Sequence, residues 1–144
     1  MTLADIRFGL VDLLTSNSSI NAIVQGRIYP VNMKQGETRD SIVYTRISEF
    51  EGYHMVAPSG LVSARFQFDA WSKSTDSAQV LADLVKEQLG GFAGQIALDA
   101  NSPSTDYVNV RGIFLVNGRD DYDPEAQMHR MSRDYFVWYA DRNA

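Results

Sequence analysis

The chain contains no cysteine. This excludes disulfides, thiol catalysis and thiolate metal sites, and it fits a reducing cytoplasm. Histidine is nearly as scarce: His54 and His129 lie far apart, and neither sits in an HExxH-like setting. No apolar run approaches the roughly 18 residues that a membrane span needs, so no membrane partner is expected. The beginning of the chain, with Asp5 before Arg7 and no small-residue cleavage pattern, does not read as a secretion signal. Basic residues are outnumbered, 13 Lys and Arg against 18 Asp and Glu, for a net charge of -5. Gripping nucleic acid through its phosphates takes a basic face, so specific DNA binding is not expected. Also missing are a Gly-x-Ser-x-Gly elbow, a Ser-x-x-Lys pair and a phosphate-cradling Gly-x-x-x-x-Gly-Lys. The glycine-rich stretch Gly90-Gly91-Phe92-Ala93-Gly94 follows a helical pattern, whereas a nucleotide loop would precede one. No catalytic residue, cofactor or metal site emerges.

What remains is an ordinary globular composition. The 144 residues are 44% hydrophobic and 22% charged, enough for one domain over 1–144 with a core that needs no staple. Leu3, Ile6, Leu10, Leu13 and Leu14 recur at helical spacing behind a Thr2 cap with Asp5 following, predicting a helix over 3–14. Another helical turn over 20–24 closes at Gly26. Two strand-like segments come next, at 27–31 and 41–48, separated by a polar gap. Pro30 lacks an amide hydrogen and marks the first as short or at an edge. Residues 50–60, with Gly52, Pro58 and Gly60, predict a long connection rather than a tight hairpin. From Leu61 to Trp71 the pattern alternates: Val62, Ala64, Phe66, Phe68 and Ala70 read as core. Ser63, Arg65, Gln67 and Asp69 face either water or a neighbouring subunit.

Ser74-Thr75-Asp76 caps a second helix with Ala78, Leu81, Leu84, Val85 and Leu89 on its buried stripe, and Gly90-Gly91 stops it. A short strand at 96–98 and a longer one over 107–116 follow, the latter with Val108, Val110, Phe114 and Val116 on one face. Asn117-Gly118 predicts a turn into an acidic loop reaching Gln127. A last strand, 128–139, alternates Met131, Tyr135, Val137 and Tyr139 against Arg130, Ser132 and Asp134. The expected fold is α+β, with two principal helices on a mainly antiparallel sheet of about six strands in the order α-β-β-β-α-β-β-β.

Several of these words carry a resemblance. Arg27-Ile28-Tyr29-Pro30-Val31, Ser41-Ile42-Val43-Tyr44-Thr45-Arg46-Ile47-Ser48 and the run Ala64-Arg65-Phe66-Gln67-Phe68-Asp69-Ala70-Trp71 stand in order with Gly90-Gly91, Asp121-Tyr122-Asp123-Pro124-Glu125 and Trp138-Tyr139. Together they resemble the tail completion, or tail terminator, proteins of long-tailed bacteriophages, over nearly the whole chain. One departure is visible: Asp40-Ser41 stands where the family would carry a proline. The resemblance implies a structural virion protein at the head-proximal end of the tail, assembled in the host cytoplasm. It would cap the tail tube and meet a head-tail connector or stopper protein, as a homo-hexameric ring that is compatible with a monomer in solution. Genome DNA would pass through without specific binding. A head-completion or minor tail protein is the neighbouring reading. A ligand-binding or hydrolytic α+β domain using His54, His129 and the acidic loop is the alternative from another class.

The residues singled out for assembly are Glu51, Tyr53, His54 and Met55 in the first connection, Arg65 and Asp69 on the second strand face, and Arg119, Asp120, Asp121, Tyr122 and Asp123 in the acidic segment. Exposed aromatics and Met suit protein contacts. Asp120, Asp121, Asp123 and Glu125 fail the calcium-loop pattern, lacking its central glycine and its later bidentate acid.

Overall fold

The computed structural model describes residues 6–53, 58–97 and 107–140. The predicted Thr2 cap, Asp5, His54 and Met55 lie outside them. The element order is α1 (Ile6–Thr15), α2 (Ser18–Val24), β1 (Ile28–Pro30), β2 (Ser41–Tyr53), β3 (Pro58–Ser72), α3 (Thr75–Leu89), β4 (Gly94–Ala97), β5 (Tyr107–Asp123) and β6 (Met128–Ala140). This is an α+β fold whose six strands form one mixed sheet in the spatial order β1-β2-β3-β6-β5-β4. Only the β1–β2 pairing is parallel, with Ile28 beside Ile42; the others are antiparallel. Pro30 ends the short edge strand, as its missing amide requires.

Each helix is set by local chemistry. The Asn17 side chain accepts hydrogen bonds from the Ser19 and Ile20 amides (3.0 and 3.1 Å) and starts α2, a capping role that helical periodicity alone does not disclose. Ser74 caps α3 through the Ser77 amide (3.1 Å), and the Gly90 amide closes it on the Lys86 carbonyl (2.8 Å). A Cβ on Gly90 would stand 2.8 Å from that carbonyl oxygen, which is why a glycine ends the helix. Gln88 donates to the Leu13 carbonyl (2.9 Å) and accepts from Asn17 (2.9 Å), tying α3 to the α1–α2 junction.

All three helices cover one face of the sheet. Leu10, Leu14, Ile20, Val24, Leu81, Val85 and Leu89 meet Val62, Ala64, Phe66, Phe68, Ala70, Ile113, Tyr135 and Val137 in a single core. The alternation of β3 and β6 therefore places side chains as expected. The face without helices is only partly covered. Val31, with a positive φ of 65°, turns the chain at the end of β1. A second, smaller cluster of Val43, Trp71 and Met128 with Tyr29, Met33 and Ala126 then closes over one end of that face.

Three expectations are corrected. Residues 50–60 do not form a long connection: β2 and β3 pair as far as Tyr53 and Pro58, so the link shrinks to 54–57. Asn117-Gly118 does not begin a turn, because β5 continues to Asp123 in register with β6, Asp121 beside Arg130 and Tyr122 beside His129. Polar exposed side chains hide a strand that is satisfied by its backbone ladder. Finally, Phe114 and Val116 do not share the buried face of Val108 and Val110. A register shift between Val110 and Gly112 inserts Arg111 as an extra residue, so Ile113 takes the core position and Phe114 turns outward.

Candidate assembly surfaces

Register across β2, β3, β6 and β5 defines the helix-free face. Phe50, Ser63, Trp138 and Gly112 form one row, and Ser48, Arg65, Phe136 and Phe114 the next. Phe50 is 68% exposed and Phe114 57%, with Leu61 and Trp138 also exposed. The Phe114 ring lies across Gly112, where a Cβ would approach it to 2.8 Å. Leu61, Arg111, Phe114 and Trp138 together line a shallow apolar depression. Contiguous exposed apolar side chains of this kind mark contact surfaces in soluble proteins.

The other half of that face is polar. Arg65 donates through Nε and Nη2 to Asp134 Oδ2 (3.0 and 2.7 Å) and stacks beside Phe136. Asp69, one of the singled-out residues, is buried at 5% exposure and accepts from Gln67 Nε2 (2.8 Å). It lines an open groove of about 710 Å³ with the 31–38 segment, Trp71, Asp123, Glu125 and Arg130. Across this groove Glu37 accepts from the Tyr29 hydroxyl and from the Arg39 amide and Nε. The Arg39 hydrogen bonds hold its carboxyl down at about 2.

The acidic segment is an arm of the β5–β6 hairpin. Arg130 donates to Asp121 Oδ2 (2.6 Å) across the strands and stands over the Trp71 ring at 5.4 Å. The Tyr122 amide donates to Asp121 Oδ1 (2.8 Å), and this bond, then Arg130, lowers the Asp121 pKa. The Tyr122 ring packs on His129 at 4.8 Å, and His129 Nδ1 lies 3.1 Å from the Thr75 hydroxyl. Asp123 accepts from the Glu125 amide (3.0 Å) and closes the turn. Arg119 and Asp120 stand exposed.

The singled-out residues therefore fall at two places. Glu51 and Tyr53 belong to the β2–β3 hairpin, opposite Val62 and Pro58. Arg119, Asp120, Asp121, Tyr122 and Asp123 belong to the β5–β6 hairpin at the other end of the sheet, the end where Ser72 meets His129. Arg65 and Asp69 lie between them on β3. Sequence reading missed the apolar patch, whose signal, Phe50 and Phe114 in adjacent rows of one face, is masked by the bulges. Among the described residues no three His, Asp or Glu side chains gather to hold a metal, and no helix is long and apolar enough to cross a membrane.

The family model described as "Tail completion protein gp17" matches residues 9–140. The chain belongs to that family. Family membership makes it a structural, tail-region protein of a phage-type virion. No curated protein matches the sequence. Among solved structures, a chain of "Virion of native gene transfer agent (GTA) particle" superposes with a TM-score of 0.68 over 94% of both chains at 12% identity. At that identity the similarity is one of fold.

Proposed function

We propose that this tail completion protein caps the tail tube, ends its polymerisation and offers a joining surface to the head connector or stopper, as a ring of six subunits at the head-proximal end. The observation that carries the reading is the placement of its two long hairpins. The β2–β3 and β5–β6 tips leave opposite ends of one rigid sheet, so a ring of such subunits has two chemically different rims. One rim carries the apolar residues around Phe50 and Leu61, the other the carboxylates of 120–125. A stopper between two assemblies needs two unlike surfaces and no catalysis. Charge is in keeping with it: six copies at -5 each carry 6 × (-5) = -30. Such a passage repels DNA phosphates and lets the genome slide without sticking.

Particles made without the protein test the reading. Tails of uncontrolled length, or tails detached from filled heads, are expected by electron microscopy; normal, head-joined tails refute it. For the acidic rim, Asp120→Lys with Glu125→Lys is the informative pair, since Asp121 pairs with Arg130 and Asp123 closes its turn. Head joining should fail while the melting curve keeps its shape. Infectious particles at the wild-type titre would remove this rim from the account.

A further inference from the structure

Among the described residues, one deeply buried carboxylate has no counter-charge. Glu37 is buried against Arg39, and Arg65 holds Asp134. Asp69 is equally withdrawn from water, yet its side chain receives a single hydrogen bond, from the neutral Gln67 at 2.8 Å. A carboxylate in that position is costly unless a cation meets it. Two polar atoms beside it are also unused. Ser132 stands directly across the ladder from Asp69, and Trp71 lies two residues along on the same face. Both residues are buried, and neither Ser132 Oγ nor Trp71 Nε1 has a hydrogen-bond partner. This stretch of sheet therefore holds more polar capacity than the fold uses, which in a folded protein calls for an explanation.

Asp69 and Trp71 line the groove of about 710 Å³ described above, and the remaining lining is of two kinds. Val31, Met33 and Val43 are apolar. Asp123 and Glu125 join Asp69 as carboxylates without a cationic partner, opposed only by Lys34. Glu37 and Arg130 border the same space, but each is already in an ion pair. Apolar walls mixed with unpaired carboxylates fit a side chain that has a long aliphatic stem and a cationic tip. A guanidinium suits this setting better than an ammonium, because it is less tightly hydrated and forks onto two acceptors. Both walls are set in advance. Glu37 ties down the 31–38 segment through Tyr29 and Arg39, and Asp123 holds the opposite turn through the Glu125 and Ala126 amides. A preformed site loses little freedom when it is filled.

We infer that this groove receives an arginine side chain presented by a partner protein, with Asp69 as its buried acceptor and Asp123 and Glu125 drawing it in. The inference rests on the acidic rim proposed above and names the chemistry of its partner. The groove belongs to the single subunit, so its occupancy is measured without rings or tails.

The chain has two tryptophans, so Trp138→Phe leaves Trp71 as the only indole, reporting from the groove itself. In that background the blocked tripeptide Gly-Arg-Gly should shift the Trp71 fluorescence saturably. Its citrulline counterpart, equal in shape and uncharged, should not. Asp69→Asn should weaken the arginine peptide roughly tenfold or more, as loss of a buried charge partner does. Glu125→Gln, at an exposed position, should weaken it about threefold and decides the matter if Asp69→Asn fails to fold. Asp12→Asn removes the same charge from the exposed side of α1 and should change nothing. Absence of saturation overturns the inference, as does equal weakening by Asp12→Asn and Glu125→Gln, which would reduce the effect to net charge. Spermidine that fills the site and resists displacement by the peptide overturns it too, since the occupant would then be a free polyamine. Tail length in particles reads the capping role separately, so the two ideas fail in different measurements.

Discussion

Replacing Phe114 by serine separates contact surface from core. The residue is 57% exposed; an aromatic of about 200 Å² then leaves about 110 Å² for a neighbouring copy to cover. At about 25 cal/mol per Å² this is worth at most about 3 kcal/mol per contact, or roughly 100-fold in the association constant. The folded monomer gains little from that exposed ring, so its stability should change by no more than about 0.5 kcal/mol. Phe66 is the internal control: it is fully buried between Phe68 and the Arg46 guanidinium. Its replacement by alanine should cost about 3–5 kcal/mol and lower the melting temperature by roughly 10–20 °C. Thermal melts together with sedimentation or electron microscopy of assembled rings read both quantities. A Phe114→Ser protein that melts as early as Phe66→Ala would show that Phe114 is core and that the Arg111 bulge is misassigned. One that melts normally and assembles normally would show that the patch contacts nothing.

Acid should act through Glu37. Its carboxyl is held near 2 in the fold against an ordinary 4.5, so its stabilising contribution is complete above about pH 4.5 and is lost as pH falls towards 2. Asp83, lowered by Arg133, adds in the same direction. Glu37→Gln should flatten the melting temperature against pH below 4.5, and an unchanged acid limb would refute this. Base should act through Tyr135, whose hydroxyl burial pushes up to about 12. Its neutral form is favoured in the fold, so that contribution is present below pH 10 and fades between about 10 and 12. Tyr29 is raised too, by burial first and then by Glu37, so ultraviolet titration of the folded protein should show more than one late phenolate, the latest of which disappears in Tyr135→Phe; titration of all tyrosines near 10 would contradict it.

The elements legible in sequence are those whose signals are local. α3 announces itself through Ser74 and Gly90, and β3 through strict alternation from Val62 to Ala70, because cap and pleat are short-range rules. What escaped depends on partners distant in sequence. The polar residues 117–123 look like a loop, yet they are a strand because β6 lies beside them to pair with each backbone group. Parallel pairing of β1 with β2 leaves no local mark, since the gap from Asn32 to Asp40 resembles a hairpin loop. Of the proposed assembly surfaces, the acidic arm was visible by composition, whereas the row joining Phe50 to Trp138 needs the register of three strands. Asp69 alternates like a surface residue and is buried only because the 31–38 segment crosses above it.

Arg111 makes the chain tolerant of one change and intolerant of another. Losing that single codon would remove the bulge and leave Val110 and Ile113 inward and Phe114 outward in plain alternation. Flattening the bulge while keeping the residue would instead swing Ile113 outward and Phe114 into the space beneath α3, with the composition unchanged. A chain one residue shorter at this point can therefore keep every side chain on its present face.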